Sequence, residues 1–376
     1  MLYNLPLSGV PLEELTELIK PLPRFRAVQV FKWIAGGVSG FKEMSNLPLS
    51  LRDELAGRFS LRPCITEEKQ IGDDGTIKQA MRLSDGAMIE AVLLADASGR
   101  RTVPNTARYT ACLSTQAGCP AGCVFCKTGA LGFFRNLNSA EIVEQFFLLK
   151  KTVEGIAPPT EGSPVHPISS IVVMGMGEPL LNLAELRRAI DVITSPQGMH
   201  FSRRRITVST CGITGGIIDL ADNGPAVRLA LSLTSADEGL RRRLMPITAS
   251  QSLPALKEAL GYFQARGGGR ITLEVVLLGG INTSGEDAAG IAQFAENLDT
   301  AVNLIPWNPV KGLQFEGNSL QEPSAAEVKG FMRHLKALGM NVTCRFRRGR
   351  GVTGACGQLG HLPINLDAVS ACGSLS

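Results

Sequence analysis

Four of the nine cysteines lie in one short stretch that runs from Cys112 to Cys126. Three of them, Cys119, Cys123 and Cys126, have a Cys-x3-Cys-x2-Cys spacing in a loop that contains glycine and proline. Structural zinc normally has four ligands, whereas an iron–sulfur cluster with one open iron uses three thiolates and keeps a coordination position for a substrate. The spacing therefore favours such a cluster. A structural zinc site and ordinary buried cysteines are the two alternatives.

The strands that must position these cysteines follow from the hydrophobic pattern of residues 105–350. Strands and helices alternate there, and six βα units predict a parallel barrel or a doubly wound sheet. In both folds the active site lies at the carboxyl ends of the strands. The predicted strands are Tyr109–Ser114, Ser169–Met174, Ile206–Ser209, Arg228–Leu233, Ile271–Leu278 and Val302–Pro306, with a seventh at Val342–Phe346.

Residues with binding groups follow several of these strands. Gly177 and Glu178 come after the second strand. The glycine would let a ligand approach the backbone closely, and the carboxylate would suit the amino group of an amino acid. Taken alone, this segment is more often an ordinary turn. Small hydrogen-bonding side chains at later strand ends either cap turns or line one pocket. These are Ser209, Ser232, Thr234 and Asn308.

The rest of the chain forms three further parts. Residues 1–60 predict a small unit of three helices whose basic side, with Arg24 and Arg26, is either solvated surface or an RNA contact. Residues 61–104 contain a predicted β-hairpin, Lys78–Leu83 and Ala87–Leu94, and a polar connector. Glu90 in the hairpin either faces outward or lies in a cleft where burial raises its basicity. Residues 351–376 form a C-terminal loop.

The C-terminal loop and three arginine clusters carry further reactive or basic groups. Cys356, between Ala355 and Gly357, is either a buried small side chain or a thiol that a tight loop brings to a substrate. The clusters Arg203–Arg205, Arg241–Arg243 and Arg345–Arg350 are solvated surface or, jointly, a phosphate-binding face. The cysteines without ligand spacing are predicted to be structural: Cys64, Cys211, Cys344 and Cys372.

Composition limits the class of protein. The 376 residues suffice for one large α/β domain and a small accessory one. With 44 % hydrophobic and 19 % charged residues and no long apolar run, no membrane association is expected. An odd cysteine count and an N-terminus unlike a signal peptide predict a cytoplasmic protein with reduced cysteines. The net charge of +4 permits a nucleic-acid partner without requiring one.

Five motifs together resemble one family over nearly the whole chain, the RlmN/Cfr family of radical S-adenosylmethionine (SAM) RNA adenine methyltransferases. The motifs are Cys112-Leu-Ser-Thr-Gln-Ala-Gly-Cys-x3-Cys-x-Phe-Cys126, Gly132-Phe-x-Arg135-Asn-Leu, Gly175-Met-Gly-Glu-Pro-Leu-Leu-Asn182, Ile305-Pro-Trp-Asn-Pro309 and Ala355-Cys-Gly-Gln-Leu359. The chain departs from the family at Thr234, where many members have His, and at Val352-Thr353, where an Asp-Ile pair is frequent.

The resemblance implies an α/β fold, a radical SAM partial (β/α)6 barrel with a small N-terminal helical RNA-binding domain and a short β-hairpin extension. It implies a [4Fe-4S] cluster on Cys119, Cys123 and Cys126, and two SAM molecules per turnover. Family SAM contacts correspond to Gly177, Glu178, Ser209, Ser232, Leu233, Thr234 and Asn308. The implied partners are RNA and an electron donor such as flavodoxin or ferredoxin, with the enzyme itself a monomer.

The reaction implied by the resemblance is methylation of carbon 2 of an adenosine in 23S rRNA, with tRNA as a further candidate. Cys356 first takes a methyl group from one SAM, and a radical derived from a second SAM removes a hydrogen from that methyl group. The carbon radical adds to the base, Glu90 accepts a proton, and Cys112 attacks the Cys356 sulfur to form a transient disulfide that frees the product.

Two other functions use parts of the same residue set. Methylation of carbon 8 of the adenosine would use the same cysteines. A non-catalytic iron–sulfur RNA-binding protein would use the cluster and the basic loops, but it would not need Cys112, Cys356 and Glu90 together.

Overall fold

The computed structural model describes residues 5–95, 108–156, 168–344 and 349–360. Its first part is the predicted helical unit, and a proline directly precedes each helix. Proline fits a helix start because the first N–H groups have no partner within the helix. On the second helix, Ala27, Val30, Phe31 and Ile34 form the buried face, which confirms the predicted spacing. The helices are α1 (Leu12–Leu18), α2 (Arg24–Ala35) and α3 (Leu49–Arg58).

Ten strands form one sheet in which each strand lies beside its neighbours in the sequence. The first four are antiparallel to one another, and strands four to ten are parallel. All seven predicted parallel strands are present, with ends shifted by one or two residues. The strands are β1 (Cys64–Ile71), β2 (Ile77–Leu83), β3 (Met88–Ala95), β4 (Tyr109–Cys112), β5 (Ile168–Val173), β6 (Ile206–Thr210), β7 (Arg228–Ser232), β8 (Ile271–Leu277), β9 (Thr300–Pro306) and β10 (Val342–Cys344).

The predicted hairpin, β2 and β3, is part of this main sheet. Strand β3 pairs with β4, and Val92 lies opposite Cys112. Strand β1 on the outer edge was not predicted because most of its side chains, including Glu67 and Glu68, are polar, as is typical of an exposed edge strand. The pairing of β3 with β4 places the strand that carries Glu90 directly beside the strand that ends at Cys112.

Helices connect the parallel strands, as the alternation predicts. Three of them were not predicted: α4 is a single turn, α7 begins with Thr214-Gly-Gly, a sequence of low helix propensity, and α8 is short and rich in arginine. Among the described strands, β1 and β10 have no pairing that would close the sheet, so the parallel strands form a partial barrel. The helices are α4 (Lys127–Ala130), α5 (Ser139–Ile156), α6 (Leu183–Thr194), α7 (Thr214–Asn223), α8 (Glu238–Leu244), α9 (Leu253–Ala265), α10 (Gly285–Ala295) and α11 (Ala325–Ala337).

Three sequence features lie outside the described residues. They are the connector with Arg100 and Arg101, the proline-rich segment Ala157–Pro167, and the C-terminal residues that include Cys372. Most of the third arginine cluster, residues 345–348, lies outside as well.

Candidate active site

The loop with the three spaced cysteines is fixed by its own backbone. The N–H of Cys119 donates to the carbonyl of Gly132 at 2.7 Å, and the N–H of Cys126 donates to the carbonyl of Cys123 at 3.1 Å. Gly118 has a φ of +75°, and a Cβ there would lie 2.0 Å from the Gly132 carbonyl oxygen, so this position requires glycine. These contacts position the three cysteines, and all three line one cavity.

Burial disfavours the ionised form of two of these thiols. Burial raises the pKa of Cys119 to about 12 and raises the pKa of Cys123 well above its usual value, so both are neutral without a metal. A cationic centre is what ionises such thiols. Within the described residues, no three His, Cys, Asp or Glu side chains converge as they would on a single ion. A cluster fits better than zinc, because it binds each thiolate through a different iron.

The cavity beside the cysteine loop measures ≈970 Å³, including its open mouth. Its wall consists mainly of residues at the carboxyl ends of the parallel strands. Leu233 is an exception among the predicted SAM contacts: it is buried behind the wall, and its N–H donates to the Glu274 carbonyl at 3.0 Å. The predicted contacts that do line the cavity are Gly177, Glu178, Ser209, Ser232, Thr234 and Asn308.

Glu178 is held on the cavity wall by backbone groups. Its Oε2 accepts from the N–H of Cys211 at 2.7 Å, and its Oε1 accepts from the N–H of Leu180 at 3.0 Å. Burial raises its pKa, while these hydrogen bonds oppose the rise. The carboxylate is thus fixed in place and suited to bind an ammonium group in the cavity.

Two buried polar atoms on the wall lack a hydrogen-bond partner in the described parts of the chain. They are the hydroxyl oxygen of Thr234 and the side-chain oxygen of Asn308. Thr234 also has a φ of +60°, which is uncommon for a residue other than glycine. Unsatisfied buried polar atoms are rare in folded proteins, and a polar ligand such as SAM would satisfy them.

Cys356 lies where this cavity meets a second one of ≈1430 Å³. Met174, Ile305 and Asn308 also line both cavities, whereas Cys112 lines only the second. No disulfide joins the cysteines of the described residues. The two predicted reactive cysteines thus line one cavity, and the three spaced cysteines do not line it.

Glu90 lies behind the loop that carries Cys356 and lines neither cavity. Its Oε2 accepts from the N–H of Gly360 at 2.6 Å, and Oε1 lies 3.1 Å from Nζ of Lys78. Lys78 in turn donates to the hydroxyl of Thr353 at 2.8 Å. This buried ion pair was not expected from the sequence, and it anchors the loop on both sides of Cys356.

The arginine clusters differ in exposure. Arg203, Arg204 and Arg205 are exposed, and Arg205 lines the second cavity together with Arg228. Arg241 is only 2 % exposed, so the prediction that the second cluster is surface is wrong for this residue. The structure also shows residues that sequence reasoning missed: Cys211, predicted to be structural, and Glu274 both line the first cavity.

Known proteins resemble this chain over most of its length. Residues 6–61 match the family model "Ribosomal RNA large subunit methyltransferase N-terminal domain". The chain is 47 % identical to the "Probable dual-specificity RNA methyltransferase RlmN" of Treponema denticola, over 95 % of this chain and 96 % of the relative. It is 39 % identical to the "Dual-specificity RNA methyltransferase RlmN" of Lawsonia intracellularis, over 89 % of this chain and 90 % of that protein.

A solved structure extends the likeness to the fold. The crystal structure of a radical SAM methyltransferase from Sphaerobacter thermophilus is 35 % identical and has a TM-score of 0.83, with coverage of 94 % of this chain and 99 % of that one. In the described residues, no helix has the length and apolar character needed to cross a membrane. The chain belongs to the RlmN family of radical SAM RNA methyltransferases.

Proposed function

We propose that the protein methylates carbon 2 of an adenosine in 23S rRNA, and of a tRNA adenosine as a second substrate. The observation that carries this proposal is the position of Cys356 between two cavities, with Cys112 on the side of the second. An aromatic carbon without a lone pair cannot take a methyl group from SAM by simple displacement. A thiol that accepts the methyl group from one side and meets the base on the other solves this problem.

The first cavity has the groups to hold the cofactors. Cys119, Cys123 and Cys126 would bind a [4Fe-4S] cluster, and the cluster with SAM supplies a carbon radical by one-electron cleavage. Glu178 would bind the amino group of SAM. The side-chain oxygens of Thr234 and Asn308, which have no partner in the described residues, would form hydrogen bonds with SAM. Ser209 and Ser232, whose hydroxyls lie 3.3 Å apart, offer further hydrogen bonds.

The second cavity is the proposed binding site of the adenosine. Cys112 lines it beside Cys356, as a resolving thiol must, because it has to reach the Cys356 sulfur once the base has been methylated. Arg205 and Arg228 are exposed and line the same cavity, where they would contact the phosphates of the RNA strand. The N-terminal helices would add a second RNA contact, and a small one-electron donor protein such as flavodoxin or ferredoxin would supply electrons.

Glu90 is the group proposed to accept the proton from carbon 2. Its carboxylate is buried and paired with Lys78, so it becomes available to the base only when the Gly360 end of the loop moves. This assignment rests on the family resemblance. The ion pair gives Glu90 a positioning role as well.

The test is mass spectrometry of adenosines in 23S rRNA and tRNA from a strain that lacks the gene, with and without the gene restored. Gene-dependent 2-methyladenosine in rRNA is the expected result, and its presence in tRNA decides the second substrate. Gene-dependent 8-methyladenosine would leave the roles of the cysteines intact and overturn the regiochemistry. The absence of both products would overturn the proposal.

A further inference from the structure

Arg241 is the largest fully buried side chain of the described residues, and it has no carboxylate partner there. Its neighbours on helix α8 behave differently. The side chains of Arg242 and Arg243 are 52 % and 55 % exposed, and each lies near a carboxylate, that of Glu238 and that of Glu316 respectively. Three successive arginines therefore include one that is buried and has no ion pair among the described residues, while the carboxylate of Glu238 favours its charge from further away.

Only neutral groups hold the Arg241 guanidinium. Nη2 donates to the carbonyl of Cys211 at 2.6 Å, and Nε donates to the carbonyl of Leu233 at 3.2 Å. Nη1 is buried and has no hydrogen-bond partner in the described parts of the chain. Carbonyl dipoles stabilise a cation, but a buried full charge remains costly unless an opposite charge lies nearby. Burial accordingly lowers the pKa of Arg241.

The surroundings of Arg241 indicate where the negative charge would come from. Cys211, whose carbonyl it binds, lines the first cavity, as does Cys123, one of the three proposed cluster ligands. Helix α8 also contacts the cysteine loop directly, because the N–H of Val124 donates to the carbonyl of Leu244 at 3.0 Å. Arg241 itself does not line the cavity, so it would act through its charge rather than as a ligand.

We propose that Arg241 is the buried counter-charge of the iron–sulfur cluster and that it favours the reduced cluster over the oxidised one. The inference rests on the proposed cluster, and Arg241 is a positioning residue rather than a catalytic one. Reduction adds one electron from the donor protein to the cluster without breaking a bond, so the negative charge near Arg241 grows by one unit. At an effective dielectric constant of about 20, one unit charge at roughly 12 Å changes an equilibrium by about tenfold.

The test is a redox titration of the reconstituted full-length protein, followed by electron paramagnetic resonance of the reduced cluster. Arg241→Gln keeps amide donors for the carbonyls and removes the charge. We expect the equilibrium constant for reduction to fall about tenfold, or about 59 mV for one electron. Arg242→Gln is the matched control: it removes the same charge from the next residue, where water and salt screen it, and should leave the potential unchanged.

Arg241→Lys keeps the charge and should keep most of the potential. An unchanged potential in folded Arg241→Gln overturns the inference. If Arg241→Gln does not fold, Arg241→Met, which is also neutral and unbranched, takes its place: a tenfold loss supports the counter-charge, and an unchanged potential overturns it. A wild-type protein that shows no reduced-cluster signal would instead overturn the proposed function, so the two failures are distinguishable.

Discussion

Removal of the Glu90 charge should destabilise the protein through Lys78. The side chains of Lys78 and Glu90 are 9 % and 2 % exposed, and their charged atoms lie 3.1 Å apart. Glu90→Gln keeps an oxygen that can accept from the N–H of Gly360, but it leaves the Lys78 ammonium buried without a counter-charge. Breaking a buried ion pair in this way costs about 3–5 kcal/mol of the free energy of unfolding.

A second substitution relieves that cost. Lys78→Met together with Glu90→Gln removes both charges, and replacement of a whole buried pair is often neutral. We therefore expect the double variant to return to within about 1 kcal/mol of the wild-type free energy of unfolding. Glu67→Gln is the control, because the Arg82–Glu67 pair is exposed and should be worth about 0–1 kcal/mol. Equilibrium unfolding in urea measures all four proteins.

The same variants separate the two roles of Glu90. Mass spectrometry can follow methylation of Cys356 and methylation of the RNA base in one reaction. If Glu90 is the proton acceptor, the double variant regains stability and methylates Cys356, yet it forms no methylated base. A double variant that methylates RNA at the wild-type rate would refute the catalytic role and leave only the anchoring one. If Glu90→Gln costs less than about 1 kcal/mol, the argument from the buried pair is wrong.

Three further predictions concern other parts of the chain. Cys119→Ala should abolish the visible absorbance of the reconstituted cluster, whereas Cys64→Ala, which removes a buried thiol far from the cavity, should retain it. Arg205→Gln should weaken RNA binding and reduce the slope of log affinity against log salt by about one. The control is Arg204→Gln, which changes an exposed neighbour that does not line the second cavity and should therefore change the slope less. Equal slopes for the two variants would argue against the phosphate contact. Hydrogen bonds from Ser324 and Gly280 lower the pKa of Glu327 to about 2. This carboxylate therefore stabilises helix α11 fully above the unfolded-state pKa of 4.5, and the stabilisation is lost as the pH falls through 2. Glu327→Gln should lower the free energy of unfolding by about 1 kcal/mol at pH 7 and by progressively less in acid, which unfolding experiments at several pH values would check.

Local sequence patterns predicted the parallel strands and the cysteine loop well. Each buried parallel strand is a short apolar run followed by glycine or polar residues, and the spacing of Cys119, Cys123 and Cys126 is a property of one loop. The strand ends were placed correctly enough to gather Glu178, Ser209 and Ser232 in one cavity.

Features that depend on contacts between distant segments were not predictable. The sequence contains no signal that β3 pairs with β4, so the proximity of the Glu90 strand to Cys112 was not foreseen. The burial of Arg241 was not predicted, although a correct prediction of helix α8 would have indicated it. Once helix α8 is known, Arg241 lies one turn before Leu244 on the buried face, whereas three consecutive arginines without that helix look uniformly exposed.

The antiparallel strands of the sheet support the loop that carries Cys356. The loop at residues 349–360 has no strand of its own, and such segments are the least stable parts of a fold unless they are anchored. Strands β2 and β3 anchor it through Lys78 and Glu90, and the other side is held by the Thr128 hydroxyl, which donates to the Leu359 carbonyl at 2.6 Å.

A thiol that takes a methyl group from one cavity and delivers it to a base in the other has to be positioned by the loop that carries it. The antiparallel strands therefore serve the proposed reaction by fixing Cys356, although they contribute no wall to the first cavity. It follows that loss of the Lys78 and Glu90 anchors should slow methyl transfer. The contacts between the Cys356 loop and the cysteine loop do not involve these two residues; they include the N–H of Lys127, which donates to the Gly357 carbonyl at 2.8 Å.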